Sequence, residues 1–441
     1  MNMIKWAEEE QKYDYVGVGN AIFAWGWLTI GDYYGEVILD NAFNNDGSPF
    51  TYQTQDKVYK KVIEYCNIAL EKLNQTGGNV SQANLAKGDA YFFNGDINKW
   101  KKFTYGILAR AYSRGSNRAD FNLADSVIFA CNNSLTTNDD NGYVRFAATA
   151  LGATNNFFGP FRANLTGTAV TGPTFVKQSK FIVDLMTGAA NSAFAGVFDP
   201  RSFYMLRLNS SNPRTYRGVE TLLGQGAITP TAAQPENFWG QASSATTIPP
   251  NDTNCRFIFR NNSPIPVITA SEIAFIKAEI LFKKGDKTGA LAAYKDGIDK
   301  NIDMLRNVYN VNIRPLDSAL TDAKKNAFLN NTKVVPANPA QLTLSNIMLQ
   351  KYISLYIHGA LETWVDMRKY HYTDLDPATN NQVYFGFRVP SATDLFQDNN
   401  GKLVYRMRPR FNSEYVWNIN ELKLIGATTP DYHTKQTWFS Q

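Results

Sequence analysis

Several aromatic side chains in the middle of the chain stand beside arginines or in a segment rich in glycine and proline. A sugar ring presents an apolar C–H face that packs on an aromatic ring, while its hydroxyl groups need planar polar partners such as a guanidinium. This combination of residue types therefore predicts carbohydrate binding. The candidate ligand-binding residues are Tyr204, Arg207, Tyr216, Arg217, Phe238 and Trp239.

Trp239 is the foremost candidate, because Phe238-Trp239-Gly240 occurs in a loop rich in Pro, Gly and Thr. The alternative interpretation is that each aromatic ring anchors its own loop onto the core. If Trp239 stacks on a sugar, we expect its replacement by alanine to weaken binding by ~1–3 kcal/mol, by analogy with bases stacked on aromatic side chains.

Catalytic and metal-binding motifs are absent from the sequence. It contains no GxSxG elbow, HExxH motif, Walker loop or Asp-rich calcium loop, and Gly17-Val-Gly19 lacks the third glycine of a phosphate-binding loop. The three histidines and three cysteines are far apart, which argues against a zinc cluster or a disulfide framework. We therefore expect no catalytic residue, no cofactor and no metal.

Glu362 and Asp366, four residues apart on a predicted helix with Arg368 close by, are the carboxylates whose spacing could suggest catalysis. A buried ion-pair network that orients the helix is the favoured interpretation. His358, on the same predicted helix, is expected to be an ordinary core or surface histidine.

Composition and charge limit the class of protein. The 441 residues are 44% hydrophobic, which excludes disorder as the main state, and 44 Lys+Arg against 39 Asp+Glu give a net charge of +5. This excess is too small to predict a nucleic-acid partner. The uncharged segment Val16 to Gly31 contains four glycines and a polar asparagine, so we expect a buried helix there and not a membrane span.

The elements that would position these residues are mainly helical. Apolar residues recur at spacings of three and four in three N-terminal segments, 55–73, 97–112 and 123–131, which predicts packed helices. Thr269 and Glu272 fit a capping box, Gly285 can end that helix, and Asp286 can begin its partner. Such pairs resemble tetratricopeptide units. A last long helix is predicted from Thr343 to Tyr370.

The segment between the two helical parts is rich in Asn, Gly, Thr and Pro, and we expect recognition loops there. The predicted division within one unit is 1–133 (helical, tetratricopeptide-like), 134–266 (loop-rich, ligand-binding), 267–370 (helical) and 371–441 (irregular, packed on the scaffold).

Taken together, five stretches make the chain resemble a known family, the SusD/RagB-like outer-membrane nutrient-binding lipoproteins of Bacteroidetes, in their starch-binding-associated branch. In two places the chain departs from the family pattern: Ile38 replaces the usual proline, and no signal peptide or lipobox cysteine precedes the first helix. The matching stretches are 24–37 (AWGW…TIGDYYGEV), 91–112 (YFFNGDINKW to RAY), 181–201 (FIVDL…DPR), 350–368 (QKYISL…ETWVDMR) and 410–439 (RFNSE…TWF).

The resemblance implies a mainly α fold, in which a tetratricopeptide-like scaffold of helical pairs carries a loop-rich variable subdomain. It also implies a non-catalytic, surface-exposed outer-membrane lipoprotein that captures an oligosaccharide and passes it to a SusC-like TonB-dependent channel. Membrane contact would come only through an N-terminal lipid anchor absent from this chain, which we expect to be a truncated or reannotated product.

Other functions stay open at this point. A subunit of the same type could capture peptides or protein fragments in place of glycans. A glycoside hydrolase with paired carboxylates and a tetratricopeptide adaptor for protein partners are the remaining alternatives.

Overall fold

The computed structural model of the chain describes residues 2–43, 49–147, 154–161, 176–242, 245, 251–309 and 318–441. The described residues form fifteen α-helices and four short strands. In chain order these elements are α1 (Asn2–Glu9), α2 (Tyr13–Tyr34), β1 (Val37–Ile38), β2 (Tyr52–Gln53), α3 (Gln55–Leu73), α4 (Gln82–Gly88), α5 (Ile97–Ser113), α6 (Ala124–Asn133), β3 (Gly142–Val144), α7 (Lys180–Thr187), α8 (Ser202–Met205), β4 (Ile265–Ile268), α9 (Ala270–Lys283), α10 (Lys287–Val308), α11 (Asp322–Leu329), α12 (Leu344–Ser354), α13 (Ala360–Lys369), α14 (Asn412–Trp417) and α15 (Ile419–Leu424).

The chain divides into two compact units. The first unit comprises Met1–Thr136, Leu361–Tyr372 and Val389–Gln441, and the second comprises Thr137–Ala360 and Thr373–Arg388. The prediction of a mainly α fold built from helical pairs is confirmed. The finer four-part division and the tetratricopeptide likeness of the pairs stay predictions.

The first unit is built around α2 and α3, which pack together along their lengths. Two glycines of α2 make this approach possible. A Cβ atom at Gly31 would lie 2.9 Å from Val58 Cγ1, and one at Gly17 would lie 2.6 Å from Leu73 Cγ. The predicted helix at 55–73 is confirmed with identical bounds, and the predicted helices at 97–112 and 123–131 appear as α5 and α6.

A buried ion-pair network ties three helices of the first unit together. Arg114 donates from Nη2 to Asp32 Oδ2 at 2.7 Å and to Glu362 Oε2 at 2.6 Å, and Arg110 pairs with Glu362 at 3.1 Å. Tyr59 adds a hydrogen bond to Asp32 at 2.8 Å. Glu362 is therefore a structural carboxylate that orients α13, as the favoured sequence interpretation predicts.

The second unit contains the predicted pair α9 and α10. Thr269 Oγ1 accepts a hydrogen bond from the Glu272 amide at 3.2 Å, and Asp286 Oδ1 accepts one from the Gly289 amide at 2.8 Å. These caps satisfy amide groups that have no partner inside the helix. Gly285 takes φ +86°, so it supplies the left-handed turn between the helices. Strands β3 and β4 pair antiparallel beside them.

The prediction of one helix from Thr343 to Tyr370 is wrong. The structure has two helices, α12 and α13, separated by residues 355–359, and Ile357 lies in the left-handed region with φ +74°. A β-branched residue in that conformation interrupts the α-helical backbone, and apolar periodicity cannot reveal such a turn. His358 lies in this connection, with its ring centroid 6.1 Å from that of Phe257.

The uncharged N-terminal segment forms α2, whose side chains are largely buried, as predicted. Across the described part of the chain, no helix combines the length and the apolar character needed to cross a membrane.

Candidate functional site

Phe238 and Trp239 are both buried, as the alternative interpretation of anchored rings predicts. The Trp239 indole donates from Nε1 to the carbonyl of Phe158 at 2.9 Å, and Phe238 stacks on Phe259 with 4.7 Å between ring centroids. Both rings anchor the loop onto the core of the second unit. A direct part in ligand binding stays a prediction, and this burial argues against it.

A buried arginine positions the short helix α8 in the second unit. Arg201 pairs with Asp199 through a 2.9 Å bond from Nε, and it also donates to Asn301 at 2.8 Å and to Gln350 at 2.6 Å. Asn301 belongs to α10 and Gln350 to α12, so the start of α8 is fixed to two long helices. The Asp199-Pro200-Arg201 sequence therefore has a structural role.

Helix α8 carries Phe203 and Tyr204, which are both buried. The Phe203 ring is covered by the Arg256 guanidinium, whose Cζ lies 3.8 Å from the ring centroid. Arg256 also donates from Nη1 to the Phe203 carbonyl at 2.9 Å. This arrangement holds Phe203 from both its side chain and its backbone.

Phe203 forms part of the wall of an open cavity of about 450 Å³ in the second unit. Its described lining combines four aromatic rings with one cation and a few small polar side chains, and it contains no carboxylate. The lining residues are Gly196, Val197, Phe198, Pro200, Phe203, Tyr216, Ser318, Lys324, Ala327, Phe328 and Asn331. Residues 324–328 come from α11.

Tyr216 is the predicted candidate that lines this cavity directly. Its segment is held to the strand-like residues after α8 by an antiparallel bridge between Leu208 and Tyr216. The ring of Phe198 lies 5.9 Å from the Tyr216 ring, and Phe198 is 55% exposed. These two rings therefore form an accessible aromatic corner of the cavity.

The neighbouring candidate Arg217 has an exposed side chain, and its carbonyl accepts a hydrogen bond from Gln178 at 2.7 Å. Arg207 is the opposite case, since only 3% of it is exposed and its Nη2 donates to the Asn254 carbonyl at 3.0 Å. Of the six predicted residues, Tyr216 alone is among the cavity's described lining.

Positive charge dominates the surroundings of Tyr216. Burial raises the pKa of the Tyr216 phenol, and the nearby guanidinium groups of Arg256, Arg207 and Arg214 oppose that rise. Burial also lowers the pKa of Arg207 to about 9, with a further contribution from Arg256, while Glu236 acts in the opposite direction.

Sequence reasoning missed most of the cavity lining. Phe198 directly precedes the Asp199-Pro200-Arg201 motif, and this position next to a motif could have marked it as a candidate binding residue. Phe328 and Lys324 lie on a short helix more than a hundred residues away along the chain, and no local pattern links them to Tyr216.

The arrangement is suited to binding. Aromatic faces can take the apolar side of a sugar ring, and Lys324 and Asn331 offer polar partners at the rim. Among the described residues, no group of three or more His, Cys, Asp or Glu side chains could hold a metal ion.

Comparisons with solved structures give full-length matches at low sequence identity. A SusD homologue from Bacteroides fragilis has a TM-score of 0.69 at 18% identity, covering 97% of this chain and 84% of the other. A SusD/RagB family protein from Bacteroides thetaiotaomicron has a TM-score of 0.64 at 18% identity, covering 97% and 81%.

A chitin-binding SusD homologue from Flavobacterium johnsoniae has a TM-score of 0.59 at 16% identity, covering 97% of this chain and 81% of the other. At such identities these matches establish the fold. A comparison with curated proteins gives no significant match.

The SusD-like family described as "Starch-binding associating with outer membrane" matches residues 1–390, which is most of the chain. This match agrees with the fold and includes four of the five stretches of sequence that resemble the family, while the fifth, 410–439, lies beyond it. The chain belongs to the SusD-like family.

Proposed function

We propose that this protein is a non-catalytic glycan-binding subunit of a nutrient-uptake system at the outer-membrane surface. The observation that carries the proposal is the open cavity of about 450 Å³ lined by Phe198, Phe203, Tyr216 and Phe328 in a SusD-like fold. Its volume lies within the usual range for sites that bind small ligands. The chitin-binding homologue of the same fold adds support for a glycan as the ligand.

Delivery of the glycan to a SusC-like TonB-dependent channel is the second part of the proposal. Membership of a family described as associating with the outer membrane supports this part. A surface lipoprotein with this fold would hold the ligand and pass it to the transporter without altering it.

The test of the site uses a matched pair of phenylalanine variants. Phe198→Ala removes an exposed ring from the cavity, and Phe129→Ala removes a ring of α6 that is similarly exposed, at 60% against 55%. We expect Phe198→Ala to weaken glycan binding about 5- to 150-fold, as for other aromatic stacking contacts, and Phe129→Ala to leave it unchanged. Isothermal titration with a panel of plant and host oligosaccharides provides the measurement.

Other outcomes would favour the alternatives. Saturable binding of peptides with no response to glycans would indicate a peptide-binding subunit. Heat that continues after each injection would indicate turnover of the glycan, and it would contradict the non-catalytic proposal. Equal losses in the two phenylalanine variants would remove the cavity from the binding site.

A further inference from the structure

Next to the cavity, the second unit holds a cluster of arginines with few negative partners. Arg214 forms an ion pair with Glu236, and Arg207 Nη2 lies 3.9 Å from the other oxygen of the same carboxylate. Arg256 is close enough for both Glu236 and Arg214 to influence its charge. Two guanidinium groups thus share Glu236 with a third in its field, while Asp252 is paired with Arg260 at 3.3 Å.

The most buried member of this cluster lacks partners for part of its guanidinium. Arg207 Nε and Nη1 have no hydrogen-bond partner among the described residues. Its Nη2 lies against the backbone of Gly240, because a Cβ atom there would come within 1.9 Å of it. A buried cation with unmet donors is costly, and an additional anion nearby would reduce that cost.

Arg256 links this cluster to the cavity. Its guanidinium lies on the ring of Phe203 and bonds the carbonyl of the same residue, and its charge also acts on the Tyr216 phenol. Both Phe203 and Tyr216 line the cavity. The positive charge of the arginine cluster therefore acts on Phe203 and Tyr216 in the cavity wall.

Two lysines add positive charge around the cavity. Lys324 lines it from α11, and Lys333 Nζ lies 3.4 Å from the position that a Cβ atom would take on Gly196. The described lining residues include neither aspartate nor glutamate. A neutral sugar needs no such excess, whereas a planar carboxylate or a sulfate is the usual partner of arginine side chains.

We propose that the glycan bound in this cavity is acidic, with carboxylate or sulfate groups on the sugar units that contact the aromatic corner of Phe198 and Tyr216. This inference rests on the proposed glycan-binding function and specifies its substrate class. An acidic peptide has the same charge, but the aromatic lining favours a ligand with flat apolar faces, as a sugar ring has.

The experiment compares each acidic ligand with a neutral counterpart that has the same sugar backbone. An oligogalacturonate is titrated beside its methyl-esterified form, and a sulfated carrageenan oligosaccharide beside its desulfated form. We expect at least one acidic ligand to bind about tenfold or more tightly than its neutral counterpart, since a hydrogen bond to a charged group contributes this much. The two pairs distinguish a carboxylate from a sulfate. The preference should decrease when the salt is raised from about 50 to about 500 mM, because salt screens the charges.

Two variants and one control assign the effect to the cavity. Arg256→Gln should lower affinity for the acidic ligand about tenfold, while Arg260→Gln, whose arginine is paired with Asp252, should leave it unchanged. Lys324→Gln is a second variant at an exposed position, so its effect can be measured even if Arg256→Gln proves unstable. A melting curve of each variant checks that the fold is intact.

Each contrary result has a definite meaning. If neutral glycans bind as tightly as acidic ones, or if neither Arg256→Gln nor Lys324→Gln affects the acidic ligand, the acidic-glycan inference fails and the glycan-binding proposal stands. If oligo-glutamate binds more tightly than every acidic glycan, the ligand is an acidic peptide and both fail. If no glycan of either charge binds, both also fail.

Discussion

At the scale of single residues, the same chemical type takes opposite roles according to burial. Trp239 is fully buried and bonds the Phe158 carbonyl, whereas Trp417 on α14 is 79% exposed. A local sequence pattern suggested that Trp239 was the ligand-facing residue. In the structure Phe198, beside the motif that positions α8, has an exposed ring, while the binding role of Trp239 stays a prediction.

This contrast predicts a stability effect for Trp239. Trp239→Ala should lower the free energy of unfolding by ~3–5 kcal/mol, because it leaves a cavity and removes a buried hydrogen bond. Trp417→Ala, the matched exposed control, should change it by less than about 0.5 kcal/mol. Urea unfolding followed by circular dichroism measures both. Loss of ligand affinity in Trp239→Ala, measured where that variant is fully folded, would instead place the indole in the binding site.

Lys177 provides a prediction for the pH dependence of stability. Burial lowers its pKa to about 8, against the opposing charge of Glu236. Lysine in an unfolded chain has a pKa of about 10.4. Between about pH 8 and pH 10.4 the unfolded state therefore binds more protons than the folded state. The contribution of this group to stability therefore rises with pH through that window, and the cost of its buried charge is greatest below about pH 8.

Lys177→Met removes that cost. We expect the free energy of unfolding of the variant to exceed that of the wild type most at pH 7. This difference should decrease progressively towards pH 10. Urea unfolding midpoints of both proteins at each pH give the difference in stability. The contributions of the other titrating groups are common to both proteins and cancel in this difference. A difference that stays constant with pH would show that the ammonium group is solvated in the folded protein.

At the scale of elements, the helical scaffold fixes the parts that carry the cavity. Arg201 joins the start of α8 to Asn301 of α10 and Gln350 of α12, so Phe203 is placed by contacts with two long helices. In the first unit, Arg114 plays a similar part for α13 through Glu362. Charged residues of the family-like stretches therefore act on helix placement, and the cavity lining comes mostly from segments between or beside them.

The α2–α3 pair allows a direct test of close packing. Gly31→Ala would place a Cβ atom 2.9 Å from Val58 Cγ1, on a stiff β-branched side chain. We expect a net loss of ~0.5–2 kcal/mol in unfolding free energy, since overpacking costs more than the helix propensity of alanine returns. Gly26→Ala in the same helix meets no atom within 4 Å and should gain up to ~1 kcal/mol. Thermal unfolding of the two variants in parallel measures both stability changes. Equal changes in Gly31→Ala and Gly26→Ala would contradict the packing argument.

At the scale of the whole molecule, the ion-pair network and the candidate binding cavity lie in different units. The first unit holds the ion-pair network around Arg114, and the second holds the cavity, the arginine cluster and the helices that position them. The proposed ligand site thus belongs to the second unit alone.

Hydrogen exchange with bound ligand tests this assignment. We expect a saturating glycan to slow exchange in peptides that contain α8, α11 or Tyr216, and to leave α3 and α5 of the first unit unchanged. Slower exchange appears where a ligand stabilises local structure against opening. Protection confined to the first unit would show that the ligand binds elsewhere.

The sequence by itself determined the mainly helical content, the bounds of α3, α5 and α6, the caps around α9 and α10, and the family. These features depend on local periodicity and on capping residues, which lie within a few positions of one another. It also indicated the buried, structural role of Glu362, but not its partners, because Arg110 and Arg114 lie far from it along the chain. Tyr216 was the one site candidate that the cavity also contains.

The tertiary structure alone decided which rings are accessible and which charges come together. Trp239 is buried because Phe158, 81 residues earlier, accepts its hydrogen bond, and Phe259 packs on its neighbour. The cavity joins Tyr216 to α11, more than a hundred residues later. The left-handed turn at Ile357, which breaks the predicted long helix, likewise has no periodic signal. Burial and charge clustering depend on contacts between distant segments, and a local pattern carries no information about those contacts.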